Sequence, residues 1–188
     1  VPEDVVIAGE RATIRWRYHF GDALAESVRG VTLIRVSDRR IVEALAYSKT
    51  GDIPLAAEAE HDEPPGAGTG TRVRTTQEAL DRYNDAFRLH DPKLLEDLIA
   101  DDCFIEDSGP APEGTRRVGG PACLARWSEL AADRALTFTP EPAEILGDLA
   151  VQPWRLEWGV GEKDRVRGLN LIRIRDGLIV EARGYVKA

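Results

Sequence analysis

Residues 9–50 align without a gap with residues 147–188, at a constant offset of 138. Gly9 pairs with Gly147, Trp16 and Arg17 with Trp154 and Arg155, and Gly21 with Gly159. Val28, Arg29 and Gly30 repeat as Val166, Arg167 and Gly168, and Leu33, Ile34 and Arg35 as Leu171, Ile172 and Arg173. Asp38 matches Asp176, Ile41 to Ala44 match Ile179 to Ala182, Tyr47 matches Tyr185 and Lys49 matches Lys187. So many identities in one register mark a duplication, not the generic likeness of two hairpins. A repeat constrains architecture before any local pattern does. The offset is too long for a solenoid unit and is the length of a domain plus a linker. The chain therefore reads as the end of one domain (residues 1–50), a linker (51–74) and a complete second domain (75–188). The linker holds Pro54, Pro64, Pro65, Gly66, Gly68 and Gly70 among acidic residues. Without apolar periodicity, that composition predicts a flexible tether.

Local patterns place elements in the second domain. Thr75 and Glu78 have capping-box spacing and open a helix running to about Leu89, with Leu80, Tyr83 and Phe87 on one face. Asp91-Pro92 is expected to start a second helix, with Leu94, Leu95, Leu98 and Ile99 as its buried stripe. Residues 103–107 alternate as a strand, in which Cys103, Ile105 and Asp107 share one face. Glu106 falls on the other face and is expected to point outward. A Gly/Pro-rich loop follows, and Gly120-Pro121 opens a third helix with Cys123, Trp127 and Leu130 inward. Strands are predicted over 135–139, 144–158, 163–175 and 178–187, with a two-residue hairpin at Asp176-Gly177. Pro153 implies an edge or a bulge. The order helix, helix, strand, helix and then a run of strands predicts an α+β fold, with helices on one face of an antiparallel sheet. Residues 9–50 contain only the strand run. Its apolar face, carrying Trp16, Tyr18 and Phe20, would need helices or another chain to cover it.

Composition narrows the function classes. Of 188 residues, 43% are hydrophobic and 31% charged, which suits a packed core. The net charge of −8 argues against nucleic acid or an anionic membrane as partner, since both need a basic surface. Cys103 and Cys123 form no CxxC pair and are read as small buried hydrophobes. His19, His61 and His90 lie far apart, so no metal site is expected. His90, just before a helix start, is read as a surface residue. There is no GxGxxG, GxxxxGK[ST] or GxSxG, and hence no anchor for a nucleotide cofactor or for serine hydrolase chemistry. No cofactor is expected. These counts fit a cytoplasmic protein without a signal peptide. The chain begins at Val1 and contains no methionine, which is read as a processed or fragmentary product.

Several of these features converge on a known family. The carriers are the helical segment leading up to Tyr83, the segment from Ala100 to Asp107, the loop from Gly109 to Pro112, Val166-Arg167-Gly168, and Arg175-Asp176-Gly177 before a final strand ending in Tyr185, Val186 and Lys187. Through them residues 75–188 resemble the SnoaL-like branch of the nuclear-transport-factor-two-like superfamily, which includes polyketide cyclases and ketosteroid isomerase-like enzymes. The resemblance implies a cystatin-like, cone-shaped roll: a curved antiparallel sheet wrapped around helices, with an apolar pocket at its open end. Residues 1–50 would then be the strand half of a first such domain, its helical half lying before Val1. The resemblance also implies a homodimer or an intramolecular pseudo-dimer through the sheet face.

In isomerase-like members a helix tyrosine and a strand aspartate face each other across the pocket. Tyr83 and Asp107 match that pattern. A carboxylate at an apolar wall can shuttle a proton, and a phenol can donate to a developing enolate oxygen. Core packing for Tyr83 and turn capping for Asp107 are equally open. Where the pattern has a second acid, this chain has Asn170, an amide that could join Tyr83 as a catalytic oxyanion donor but does not titrate. Trp127, Trp154, Trp158 and Phe87 would line a pocket for flat apolar ligands, or simply pack the core. The expected activity is cofactor-independent acid–base catalysis (isomerisation, cyclisation or dehydration) on a small hydrophobic carbonyl or polyketide-like compound. A non-catalytic binding or dimerisation module and an epoxide-opening hydrolase are the alternatives, because this fold hosts many functions.

Overall fold

A computed structural model describes residues 1–49, 74–161 and 164–187. Apart from Arg74, the expected linker lies outside the described residues. The N-terminal part is an antiparallel meander of β1 (Pro2–Ala8), β2 (Arg11–Phe20), β3 (Glu26–Ser37) and β4 (Arg40–Ser48). The rest runs α1 (Thr76–Arg88), β5 (Ile99–Glu106), β6 (Arg116–Val118), α2 (Gly120–Ala132), β7 (Thr137–Pro140), β8 (Glu144–Leu146), β9 (Leu149–Glu157), β10 (Arg165–Arg175) and β11 (Leu178–Val186). The strand order is β1-β2-β3-β4-β11-β10-β9-β7, with β5 parallel to β11, β6 on β5 and β8 on β9. This is the α+β architecture the sequence predicts. Among the described residues no helix is long and apolar enough to cross a membrane.

The duplication is visible down to its irregularities. Both β3–β4 and β10–β11 turn through two residues of positive φ, Asp38-Arg39 and Asp176-Gly177, as tight hairpins require. Both ladders slip register at the same repeat position, between Arg35 and Val36 and between Arg173 and Ile174. In each repeat a tryptophan lies flat over the glycine it faces on the next strand. A Cβ on Gly30 would stand 2.2 Å from the Trp16 ring, and one on Gly168 2.1 Å from Trp154. Only glycine admits the ring there.

α1 starts with the capping box expected at Thr75 and Glu78. The second helix does not form. Pro92–Leu95 makes a single 3-10 turn, and Ile99 already belongs to β5. The reason lies in distant side chains. Arg82 donates to the Leu94 carbonyl at 2.6 Å and Arg74 to the Asp97 carbonyl at 2.8 Å. Those acceptors would otherwise wait for the next helical turn. The strand expected over 144–158 divides into β8 and β9 at Gly147, where φ is +70°.

Two cores result. One lies between α1, α2 and the inner face of β9–β11, and includes Leu80, Leu95, Leu98, Trp127, Ile172 and Ile179. The other lies where the N-terminal sheet packs on the outer face of β9–β11 and joins Val31 and Tyr47 to Leu149, Val151, Leu169, Leu171 and Tyr185. The contacts there are reciprocal. The Lys49 Nζ lies 4.7 Å from the Tyr185 ring centroid, and the Lys187 Nζ lies 5.6 Å from that of Tyr47. Cys103 and Cys123 are free and fully buried.

Candidate functional site

α1, α2, the inner face of β9–β11 and the end of β5 enclose a cavity of about 110 Å³. Its apolar wall is an aromatic chain. Tyr83 meets Trp127 edge-on, with ring centroids 5.1 Å apart, and packs against Phe87 at 4.8 Å. Phe87 meets Phe138 at 5.5 Å, which in turn meets Trp154 at 6.2 Å. Helical spacing explains the first contacts: Ala79, Tyr83, Ala86 and Phe87 all fall on the buried stripe of α1.

A hydrogen-bond relay crosses this wall. The Trp154 indole donates to Asn170 Oδ1 at 2.9 Å, and Asn170 Nδ2 donates to the Tyr83 hydroxyl oxygen at 3.3 Å. An indole can only donate, so its contact fixes which end of the amide faces Tyr83. Asn170 therefore spends its carbonyl and an N–H on positioning. Among the described residues Tyr83 has no other hydrogen bond, which leaves its own proton to a pocket occupant. Burial, and after it the nearby Asp107 charge, holds the phenol well above its ordinary pKa. Tyr83 is thus a neutral donor throughout the physiological range.

Asp107 lines the same cavity, one residue beyond β5. Its backbone is held on both sides: the N–H donates to the Thr115 carbonyl at 2.9 Å, and the carbonyl accepts from Lys49 Nζ at 2.5 Å. The loop folds back so closely that a Cβ on Gly114 (φ +78°) would stand 2.0 Å from the Asp107 carbonyl oxygen. The carboxylate is not bare. Arg117 donates to Oδ2 at 2.7 Å, and Arg126 Nε stands 3.3 Å from the same oxygen. Arg126 is 8% exposed, and its Nε has no aligned hydrogen-bond acceptor. The bare carboxylate expected at an apolar wall is therefore replaced by an ion-paired one.

Of the residues singled out by sequence, Tyr83, Phe87, Asp107, Trp127, Trp154 and Asn170 all line this cavity. Trp158 does not. It lies past the end of β9, and Leu156 is the last residue of that strand face to reach the pocket. Glu106 is the other departure. It points away from Asp107, as alternation requires, yet it is 4% exposed and paired with Arg183 and Arg116. Its face of β5 is covered by those guanidiniums and is not solvated. His90, read as a surface residue, lines the cavity, with Nδ1 3.0 Å from the Ala131 carbonyl. Arg117 and Arg126 were missed. Arg126 lies one turn beyond Cys123 on the buried side of α2, and that placement is the signal that could have found it.

The SnoaL-like domain model matches residues 80–182, more than half of the chain. The chain belongs to the SnoaL-like family. An NTF2-like protein of unknown function from Mesorhizobium loti is 43% identical, with 65% of this chain and 98% of that one covered and a TM-score of 0.58. A protein with a cystatin-like fold from Xanthomonas campestris is 18% identical over 61% of this chain and 92% of that one, with a TM-score of 0.52. A proposed polyketide cyclase from Sinorhizobium meliloti is 27% identical over 57% of this chain and 93% of that one, with a TM-score of 0.47. No curated protein matches. In this SnoaL-like chain the cavity thus holds a phenol and an ion-paired carboxylate among aromatic walls.

Proposed function

We propose that this SnoaL-like domain is an acid–base site for a small, flat, hydrophobic carbonyl compound, of the isomerase, cyclase or dehydratase type. One observation carries the reading: a neutral phenol with a free proton and a carboxylate line one aromatic cavity. Asp107 would take a proton from the carbon next to the carbonyl. Tyr83, oriented by Asn170, would donate to the developing enolate oxygen. The aromatic walls would exclude water and hold the substrate plane.

The two guanidiniums on Asp107 favour a second reading, a binding module without catalysis, because both are held on the carboxylate oxygen Oδ2 that would otherwise face a substrate proton. Two probes separate the readings. 2-Naphthol tests binding, and solvent-deuterium exchange at the acidic carbon of 2-tetralone, followed by NMR, tests catalysis. The enzyme reading expects the chain to accelerate exchange, with Asp107→Asn abolishing it and Tyr83→Phe lowering it by about 10²–10³-fold. Naphthol binding without any exchange above buffer would leave the binding module as the answer.

A further inference from the structure

The repeat offset extends beyond the strands to an ionic clamp. Glu3 holds Arg17 and Arg29, with 3.2 and 3.0 Å between Nε and Oε1. At the matching positions Glu141 holds Arg155 at 2.5 Å and Arg167 at 3.6 Å. The two clamps differ in what they carry next. Arg17 and Arg29 both grip Glu113, from the loop that follows β5, and the Arg29 N–H also donates to the Pro112 carbonyl at 3.3 Å. Beside them Lys49 donates to the carbonyls of Glu106, Asp107 and Gly184 at 3.2, 2.5 and 2.7 Å. Around Arg155 and Arg167, Glu141 is the only carboxylate at ion-pair distance among the described residues. Their side chains are 52% and 57% exposed, against 22% and 23% for Arg17 and Arg29. Lys187 is exposed where Lys49 is buried.

Two further surfaces are open at matched positions. The inner face of β9–β11 lies under α1 and α2, whereas the same face of β2–β4 leaves Tyr18 61% and Val42 49% exposed. Strand β11 carries β5 along one edge, whereas among the described residues β4, apart from its Ser48–Val186 pair, is paired only with β3. One body, residues 75–134, supplies the helices and the parallel strand to the second repeat and the acidic loop to the first.

We infer that the N-terminal sheet is a docking face for a second helical body of the same make, whose acidic loop seats on Arg155, Arg167 and Lys187. That occupant brings apolar helix faces to Tyr18 and Val42, a parallel strand to β4, and a carboxylate with neighbouring main-chain carbonyls to the open clamp. Charge complementarity and the reciprocal packing of the two sheets both specify it. The inference is independent of any catalytic role for Asp107.

The test supplies the body in register. Because Val1 matches Thr139, a copy of residues 75–138 placed directly ahead of Val1 keeps the 138-residue offset. The full chain so extended is compared by limited proteolysis with the same chain carrying Arg155→Glu and Arg167→Glu. The added segment is expected to resist cleavage at least about tenfold longer with the arginines intact. Binding of 1-anilinonaphthalene-8-sulfonate to the N-terminal sheet is expected to fall on extension. The double reversal in the 188-residue chain controls for folding and is expected to keep its Tm. Equal cleavage with and without the reversal overturns the inference. So does a 188-residue chain that already forms a stable dimer shielding Tyr18 from the dye.

Discussion

The N-terminal sheet and the sheet of β9–β11 share their turns, their register slip and their tryptophan-over-glycine pairs, yet among the described residues it is the second that lines the aromatic pocket. The polar pair at the same repeat position shows why. Trp16 donates to Thr32 Oγ1 at 3.0 Å, and Trp154 donates to Asn170 Oδ1 at 2.9 Å. A hydroxyl ends the relay at the first sheet. The longer amide passes it on to Tyr83 in the second. Strand sequence therefore specifies a sheet, while a site also needs a covering helix and a side chain long enough to reach it.

The largest expected effect breaks the symmetry of the two lysines. Lys49→Ala orphans three carbonyls and opens a buried cavity, so it is expected to cost about 2–4 kcal/mol in urea unfolding. Lys187→Ala is expected to change stability within error. Lys49 also predicts a pH signature. Burial lowers its pKa from 10.5 to about 8, against the pull of Glu106 and Asp107. Between those values the unfolded chain binds the proton that the folded chain has released. Stability should therefore rise as pH climbs through that window, and the rise should vanish in Lys49→Met.

Glycine substitution comes next. Gly168→Ala drives a methyl into the buried Trp154 ring and is expected to cost about 1–3 kcal/mol. At Gly30 the half-buried Trp16 ring can move outward, but the Tyr47 carbonyl oxygen, 2.7 Å from an added methyl, cannot, so Gly30→Ala is expected to cost a similar amount. A much smaller loss at Gly30 would show that the Tyr47 backbone yields. The smallest effect concerns the relay. Asn170→Ala is expected to cost about 1–2 kcal/mol and to weaken 2-naphthol binding. Thr32→Ala is expected to cost about half as much and to leave binding unchanged. Thermal unfolding and fluorescence titration read both.

Much of this was legible in the chain because it is local or repeated. The 138-residue offset, the capping box at Thr75 and the Asp176-Gly177 turn each depend on neighbours within a few residues or on identity in register. Tyr83, Asp107 and Asn170 were brought to one cavity by the family resemblance, with which helix spacing for Tyr83 and strand alternation for Asp107 agree. What was missed depends on partners far along the chain. Arg74 and Arg82 end the 3-10 turn from 12 to 23 positions away. Glu106 is buried by Arg183, 77 positions on. Arg126 reaches Asp107 from α2, and no local period announces a guanidinium turned inward. Trp158 was misplaced for the opposite reason: the alternation was extended past the point where β9 stops.

The bond from Lys49 to the Asp107 carbonyl spans 58 positions of chain and joins the two sheets at the residue on which the proposed chemistry turns. Mechanically, the N-terminal sheet is a lever whose short arm ends at the acid. No residue of that sheet is among those lining the aromatic cavity, so a force that parts the two sheets is passed to the pocket through the Glu106, Asp107 and Gly184 carbonyls that Lys49 holds.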